Sequence, residues 1–93
     1  MATDTDYILK LYITGMTSKI ESGLIKLLRA CDQRLKGHYE FKIVNILENP
    51  QLAAEDRVIA TPTLIREAPA PPKRIIGDIT NTDKVMTALE LLK

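Results

Sequence analysis

Ala60-Thr61-Pro62-Thr63-Leu64-Ile65 decides the fold, because a Thr-Pro step leads straight into an apolar run that reads as a strand. A cis peptide bond is affordable almost only before proline, so Thr61-Pro62 is a candidate for one. A βαβ unit is legible upstream. Tyr7-Ile8-Leu9-Lys10-Leu11-Tyr12-Ile13 is apolar at nearly every position, as a strand covered on both faces is, so it belongs at or next to the centre of a sheet. Ser18-Lys19-Ile20-Glu21 has the form of a capping box and opens a helix, with Ser18 as its N-cap. Ile20, Leu24, Leu27, Leu28, Cys31 and Leu35 then recur at the spacing of one buried stripe, and Gly37 supplies the left-handed residue that commonly ends a helix. Phe41, Ile43 and Asn45 alternate with Lys42, Val44 and Ile46 in a second strand, parallel to the first after a right-handed crossover.

Beyond the unit, Asn49-Pro50 begins a short helix that continues through Gln51-Leu52-Ala53-Ala54-Glu55-Asp56. Thr63–Glu67 and Lys73–Gly77 read as a hairpin across the stiff segment Ala68-Pro69-Ala70-Pro71-Pro72. After Gly77-Asp78, residues Asn81 to Lys93 read as a closing amphipathic helix, with Val85, Met86, Leu89 and Leu92 on its buried side. The expectation is one α/β domain over residues 1–93, of order βαβαββα with a cis bond at Pro62 and a flexible N-terminus over residues 1–6.

Composition narrows the function classes. A chain of 93 residues supports one modest core. Its 13 basic and 12 acidic residues nearly cancel, so the large positive field of a non-specific nucleic-acid binder is missing and no nucleic-acid partner is expected. The single cysteine excludes an intramolecular disulfide framework and suits a reducing compartment. The start, Met1-Ala2-Thr3-Asp4-Thr5-Asp6, is polar and acidic, unlike a signal peptide, and no apolar run approaches the roughly 20 residues of a membrane span. A soluble cytoplasmic protein without a membrane partner is therefore expected.

Signs of chemistry are weak throughout. The turn Gly15-Met16-Thr17-Ser18-Lys19 carries no cysteine, so no thiolate can sit at the start of the first helix. Cys31 falls on the buried stripe, where a free thiol behaves as a small hydrophobe. His38 has no ligand at metal spacing, Glu55 and Asp56 are neighbours that do not face each other on a helix, and Gly15 stands alone where a phosphate loop needs several glycines. No catalytic residue, cofactor or metal is expected. Lys42, Arg66, Lys73 and Arg74 are basic residues on the expected strands, and they read either as edge protection or as contacts for a partner.

Taken together, Leu9-Lys10-Leu11-Tyr12-Ile13-Thr14-Gly15, Asn49-Pro50-Gln51-Leu52-Ala53, Ala60-Thr61-Pro62-Thr63-Leu64, Arg74-Ile75-Ile76-Gly77-Asp78 and Leu89-Glu90-Leu91-Leu92 resemble the successive blocks of the KaiB family, in order from Tyr7 to Leu92. The resemblance implies a thioredoxin-like fold and a non-enzymatic clock or timing regulator. Such a regulator binds a KaiC-type ATPase hexamer and modulates its phosphorylation and ATPase cycle, with a KaiA-like or kinase partner beside it. Partner-binding residues implied are Lys42, Gln51, Leu52, Ala54, Glu55, Arg57, Arg66, Lys73 and Arg74, together with an adjoining face of the first helix. It also implies a metamorphic alternative, βαββααβ, in which everything from Asn49 onward repacks. The partner-competent form is then the monomer and the free form a homodimer or homotetramer, with Pro62, Ala88 and Glu90 as the fold-switch positions. Ala88 in mid-helix should favour the thioredoxin-like form, since glycine there costs about 0.8 to 1 kcal/mol more than alanine. The rival readings are a thioredoxin- or glutaredoxin-like thiol oxidoreductase, which the cysteine-free turn argues against, and a detached KaiB-like sensor domain of a histidine kinase.

Overall fold

The apolar run Tyr7–Ile13 forms strand β1, which occupies an inner position of a four-stranded sheet in the computed structural model, where residues 6–91 are described. On one side lies the parallel β2 (Tyr39–Asn45), in register from Tyr7 opposite Tyr39 to Ile13 opposite Asn45. On the other lies the antiparallel β3 (Thr63–Ala68), with Leu11 opposite Leu64, followed by its hairpin partner β4 (Lys73–Ile76). The order β2-β1-β3-β4 leaves β2 and β4 as edges. The expected N-terminal tail lies, apart from Asp6, outside the described residues.

Strand alternation divides the core into two unequal layers. Leu9, Leu11, Ile13 and Leu64 point to one face, where α1 (Ser18–Leu35) contributes Leu24, Leu27, Cys31 and Leu35 and α3 (Thr82–Ala88) contributes Val85 and Met86. Tyr12, Val44 and Ile65 point to the other face, where α2 (Pro50–Glu55) contributes only Ala53. Burying a whole leucine is worth about 1.5 to 3 kcal/mol, so the α1/α3 layer dominates stability. The expected parallel unit and hairpin are both present, and the Thr61-Pro62 bond is cis. The Gly77 N–H donates to the Pro62 carbonyl at 2.9 Å, which carries the β3–β4 pairing to the end of the hairpin. Gly23 sits at a close approach: a Cβ there would lie 3.3 Å from the Ile79 carbonyl oxygen and the Thr80 Cα, tight enough that the segment after Gly77 would have to give by a few tenths of an ångström.

Helix ends differ from their sequence reading. Thr17, not Ser18, is the N-cap of α1, since Thr17 has the extended backbone and its Oγ1 accepts the Ile20 N–H at 3.1 Å. Lys36, with φ of 52°, already takes the left-handed position at the end of α1, and Gly37 follows it at a positive φ of 83°, as expected of it. Asn49 does precede α2, but its side chain makes no cap bond and donates instead to the Asn45 carbonyl at 3.3 Å.

The closing helix ends at Ala88, five residues before the expected Lys93. Glu90 adopts φ of 53°, its N–H bonds the Thr87 carbonyl at 3.1 Å, and the Leu91 N–H bonds the Met86 carbonyl at 2.8 Å. That pair of bonds is a Schellman motif with glutamate where glycine is usual. It drops Leu91 into the core, fully buried, in the part expected of Leu92, which lies outside the described residues. Ala88 is thus the last helical residue and exposed, not in mid-helix, so its propensity weighs less than expected. The end of α2 repeats the motif: Arg57 has φ of 56°, its N–H bonds the Ala54 carbonyl at 3.1 Å, and the Val58 N–H bonds the Ala53 carbonyl at 2.9 Å.

A left-handed residue without glycine costs about 1 to 2 kcal/mol, most where the side chain branches at Cβ. Glu90→Gly should therefore match or exceed the parent in urea denaturation, and Glu90→Val should fall about 1 to 2 kcal/mol below it. Equal stabilities for the two variants would show that residue 90 does not hold the left-handed turn.

Candidate functional site

On the α2 side of the sheet, alternation sets Lys10 and Tyr12 of β1 beside Lys42 and Val44 of β2, Ile65 and Glu67 of β3, and Arg74 and Ile76 of β4. A helix of six residues cannot cover that surface or hold itself by its own backbone bonds. Polar side chains from the sheet supply the anchorage. The Asp56 carboxylate, just past the end of α2, accepts from the Tyr12 hydroxyl and from Lys10 Nζ at 3.2 Å. Lys10 Nζ also meets Glu67 Oε1 at 2.8 Å. From β4, the Arg74 guanidinium donates to the carbonyls of Asp56 at 2.7 Å and Arg57 at 3.2 Å.

This knot polarises its members. Burial pushes the Asp56 carboxyl up, but the bonds from Tyr12 and Lys10, with the charges of Lys10 and Arg74, outweigh it and hold the group below its usual range. Burial, then the bond to Asp56, pushes the Tyr12 hydroxyl up to about 12. The bond to Glu67 is the main reason Lys10 keeps its proton well above the ordinary lysine range.

Above the knot, α2 presents Gln51, Leu52, Ala54 and Glu55 to solvent, and Arg57 is exposed after it. Leu52 is 41% exposed, and the helix is flanked in the chain by Leu47 at 72% and Ile59 at 89%. Neither flanking residue was singled out in sequence, where a lone aliphatic in a loop gives no periodic signal; nor was the knot, whose bonds from β1 to Asp56 span 44 and 46 residues and whose bonds from Arg74 span 17 and 18. Lys42 is exposed on edge strand β2, opposite Lys10 and on the α2 face.

The other expected contacts are redistributed. Arg66, Lys73 and Arg74 do not form one exposed cluster, because neighbours on a strand face opposite ways. Arg66 points into the α1/α3 side with only 5% exposed, its Nη2 donating to the Pro71 carbonyl at 2.8 Å and its Nε without a partner. Lys73 shares that side and pairs with Glu90 at 3.3 Å. Arg74 alone faces α2. An adjoining face of α1 is also corrected, since α1 and α2 pack on opposite sides of the sheet. Cys31 is fully buried, and burial, helped by the Asp32 charge, pushes its thiol up to about 11. Among the described residues no three His, Cys, Asp or Glu side chains gather as metal ligands would, and no helix is long and apolar enough to cross a membrane.

Comparison with known proteins gives a consistent picture. The KaiB domain family matches residues 10–91. The chain is 45% identical over 86 residues to the circadian clock oscillator protein KaiB of Thermostichus vulcanus, covering 92% of this chain and 80% of that one. It is 40% identical over 85 residues to the circadian clock protein KaiB3 of Synechocystis sp., covering 91% and 83% of the two chains. Among solved structures, the N-terminal domain of Synechococcus elongatus SasA superposes with a TM-score of 0.71 at 21% identity, over 94% of this chain and 82% of that one. Chloroplastic thioredoxin z superposes with a TM-score of 0.65 at 17% identity, over 91% and 76%. These two likenesses show the thioredoxin-like fold.

Asp56→Asn should cost about 1 to 3 kcal/mol at pH 7, the worth of hydrogen bonds to a charged group. The folded pKa of Asp56 lies below its unfolded value, so its contribution is complete above the ordinary carboxylate pKa of about 3.9 and lost as pH falls through the lower folded value. Urea denaturation from neutral to strongly acid pH should show parent and variant converging at the acid end. A gap that stays constant across that range would mean the charge does not anchor α2.

Proposed function

The chain belongs to the KaiB family, and on that premise we propose that it docks on a KaiC-type ATPase ring and modulates the ring's phosphorylation and ATPase cycle without catalysing a reaction itself. The family role is clock regulation, and relatives named as circadian clock oscillator proteins support it. The observation that carries the docking reading is the outer face of α2: Gln51, Leu52, Ala54 and Glu55 stand exposed on a short helix that the Asp56 knot holds in place. Leu47, Leu52 and Ile59 would supply apolar contact, while Lys42 and Arg57 would orient the partner from the rim. Arg66 drops out of the proposed surface because it is buried. In this reading the protein works in the cytoplasm as a monomer when docked, beside a KaiA-like or kinase partner. When free it can assemble into a homodimer or homotetramer through a second packing of the chain after Asn49, with Pro62, Ala88 and Glu90 at its pivots.

Two measurements test this reading. The protein should co-elute with a KaiC-type hexamer in gel filtration, and Lys42→Glu should weaken the complex several-fold, more at low salt than at high, since rim charges act through association rate and are screened. Lost co-elution of the parent protein would overturn the proposal; unchanged binding by a folded Lys42→Glu would reduce Lys42 to edge protection. Insulin reduction should be negligible for the parent and for Cys31→Ala alike, because a buried thiol with a raised pKa is neither exposed nor ionised. Cysteine-dependent turnover would restore the oxidoreductase reading.

A further inference from the structure

Arg74 looks from sequence like a surface charge offered to a partner; it is exposed, but its guanidinium is turned onto the chain's own backbone. It forks onto two successive carbonyls, Asp56 at 2.7 Å and Arg57 at 3.2 Å, at the C-terminal end of α2. Those oxygens sit at the negative end of a helix, beyond its own bonding ladder, where a cation is favoured on both counts. The turn they belong to is strained, because Arg57 is a non-glycine residue at φ of 56°, and such a residue persists only where its surroundings hold it. Tyr12 and Lys10 hold the Asp56 side chain from β1, and Arg74 holds the Asp56 and Arg57 backbone from β4.

We infer that Arg74 is a positioning residue for the exposed face of α2, fixing that helix on the sheet through the Asp56 and Arg57 carbonyls; the inference rests on the docking role proposed for α2. A planar fork with fixed spacing matches two adjacent carbonyls, and a lysine ammonium, a single point of charge, does not reproduce it. Arg74→Lys therefore separates the two ways in which this residue could serve docking. It keeps the charge a partner would feel and loses the grip on α2.

The test pairs Arg74→Lys and Arg74→Gln with the parent, reading amide hydrogen exchange and binding to a KaiC-type hexamer. The reporting amides are those of Asp56, Arg57 and Val58, which donate to Leu52, Ala54 and Ala53 at 3.1, 3.1 and 2.9 Å. Both variants should exchange these amides about tenfold faster, the factor that one bond of ordinary worth implies. Amides of β1 should be unchanged, showing that the fold is intact. Both variants should also bind the hexamer several-fold more weakly, with the salt dependence of binding kept as in the parent. Arg74→Lys with parental exchange and parental binding would overturn the inference, as would a loss in Arg74→Gln that disappears at high salt. If the parent itself fails to bind the hexamer, the docking role falls, and the exchange of the three amides still decides whether Arg74 fixes α2.

Discussion

A single carboxylate, that of Asp56, ties the thin layer of this protein to its sheet. The opposite layer is held by a continuous apolar core from Leu9 to Leu91, whereas α2 contributes one buried side chain, Ala53, which by area alone is worth little. What fixes α2 is directional: a tyrosine hydroxyl and a lysine on the carboxylate, and an arginine fork on the carbonyls. Directional bonds fix orientation more sharply than non-directional burial, which suits the docking role proposed for the outer face of this helix. Leu52 can stay exposed because polar anchors below the helix replace the apolar contacts that would otherwise have to cover it.

Most of the architecture was legible because it is written in local periodicity. The nearly continuous apolar run at Tyr7–Ile13 marked the inner strand, the stripe from Ile20 to Leu35 marked α1, and the apolar run after Thr61-Pro62 marked β3. The end of α3 was not legible. Val85, Met86, Leu89 and Leu92 fit a helical stripe in sequence whether or not the chain turns back, and nothing local in a glutamate announces a left-handed residue. A glycine at 90 would have given the turn away.

The site was harder for a different reason. Sequence reading finds charged residues but not their partners, so Arg66, Lys73 and Arg74 looked like one patch on a hairpin. Strand alternation sends the first two to the α1/α3 side and the third to α2, and each meets a different acceptor: the Pro71 carbonyl, Glu90, and the Asp56 and Arg57 carbonyls. Of these basic residues and Lys42, only Lys42 and Arg74 are exposed as read, Lys42 on edge strand β2 and Arg74 on edge strand β4 with its guanidinium turned onto the end of α2.

Lys73 and Arg74 together give β4 a role out of proportion to its four residues. They are adjacent and so face opposite ways, and each reaches the turn that ends a different helix: Lys73 the second residue after α3, Arg74 the two residues after α2. Both turns are Schellman motifs closed by a charged residue at positive φ, Glu90 in one and Arg57 in the other. A glycine in either turn would need no outside support; a charged residue there makes the turn depend on its neighbours. The two anchors differ in kind. The Lys73–Glu90 pair is partly exposed and, like other such pairs, contributes at most about 1 kcal/mol, while the Arg74 fork adds a fixed geometry at a helix end. The edge strand thus holds its two helix ends by different means, a charge pair at α3 and a two-point fork at α2.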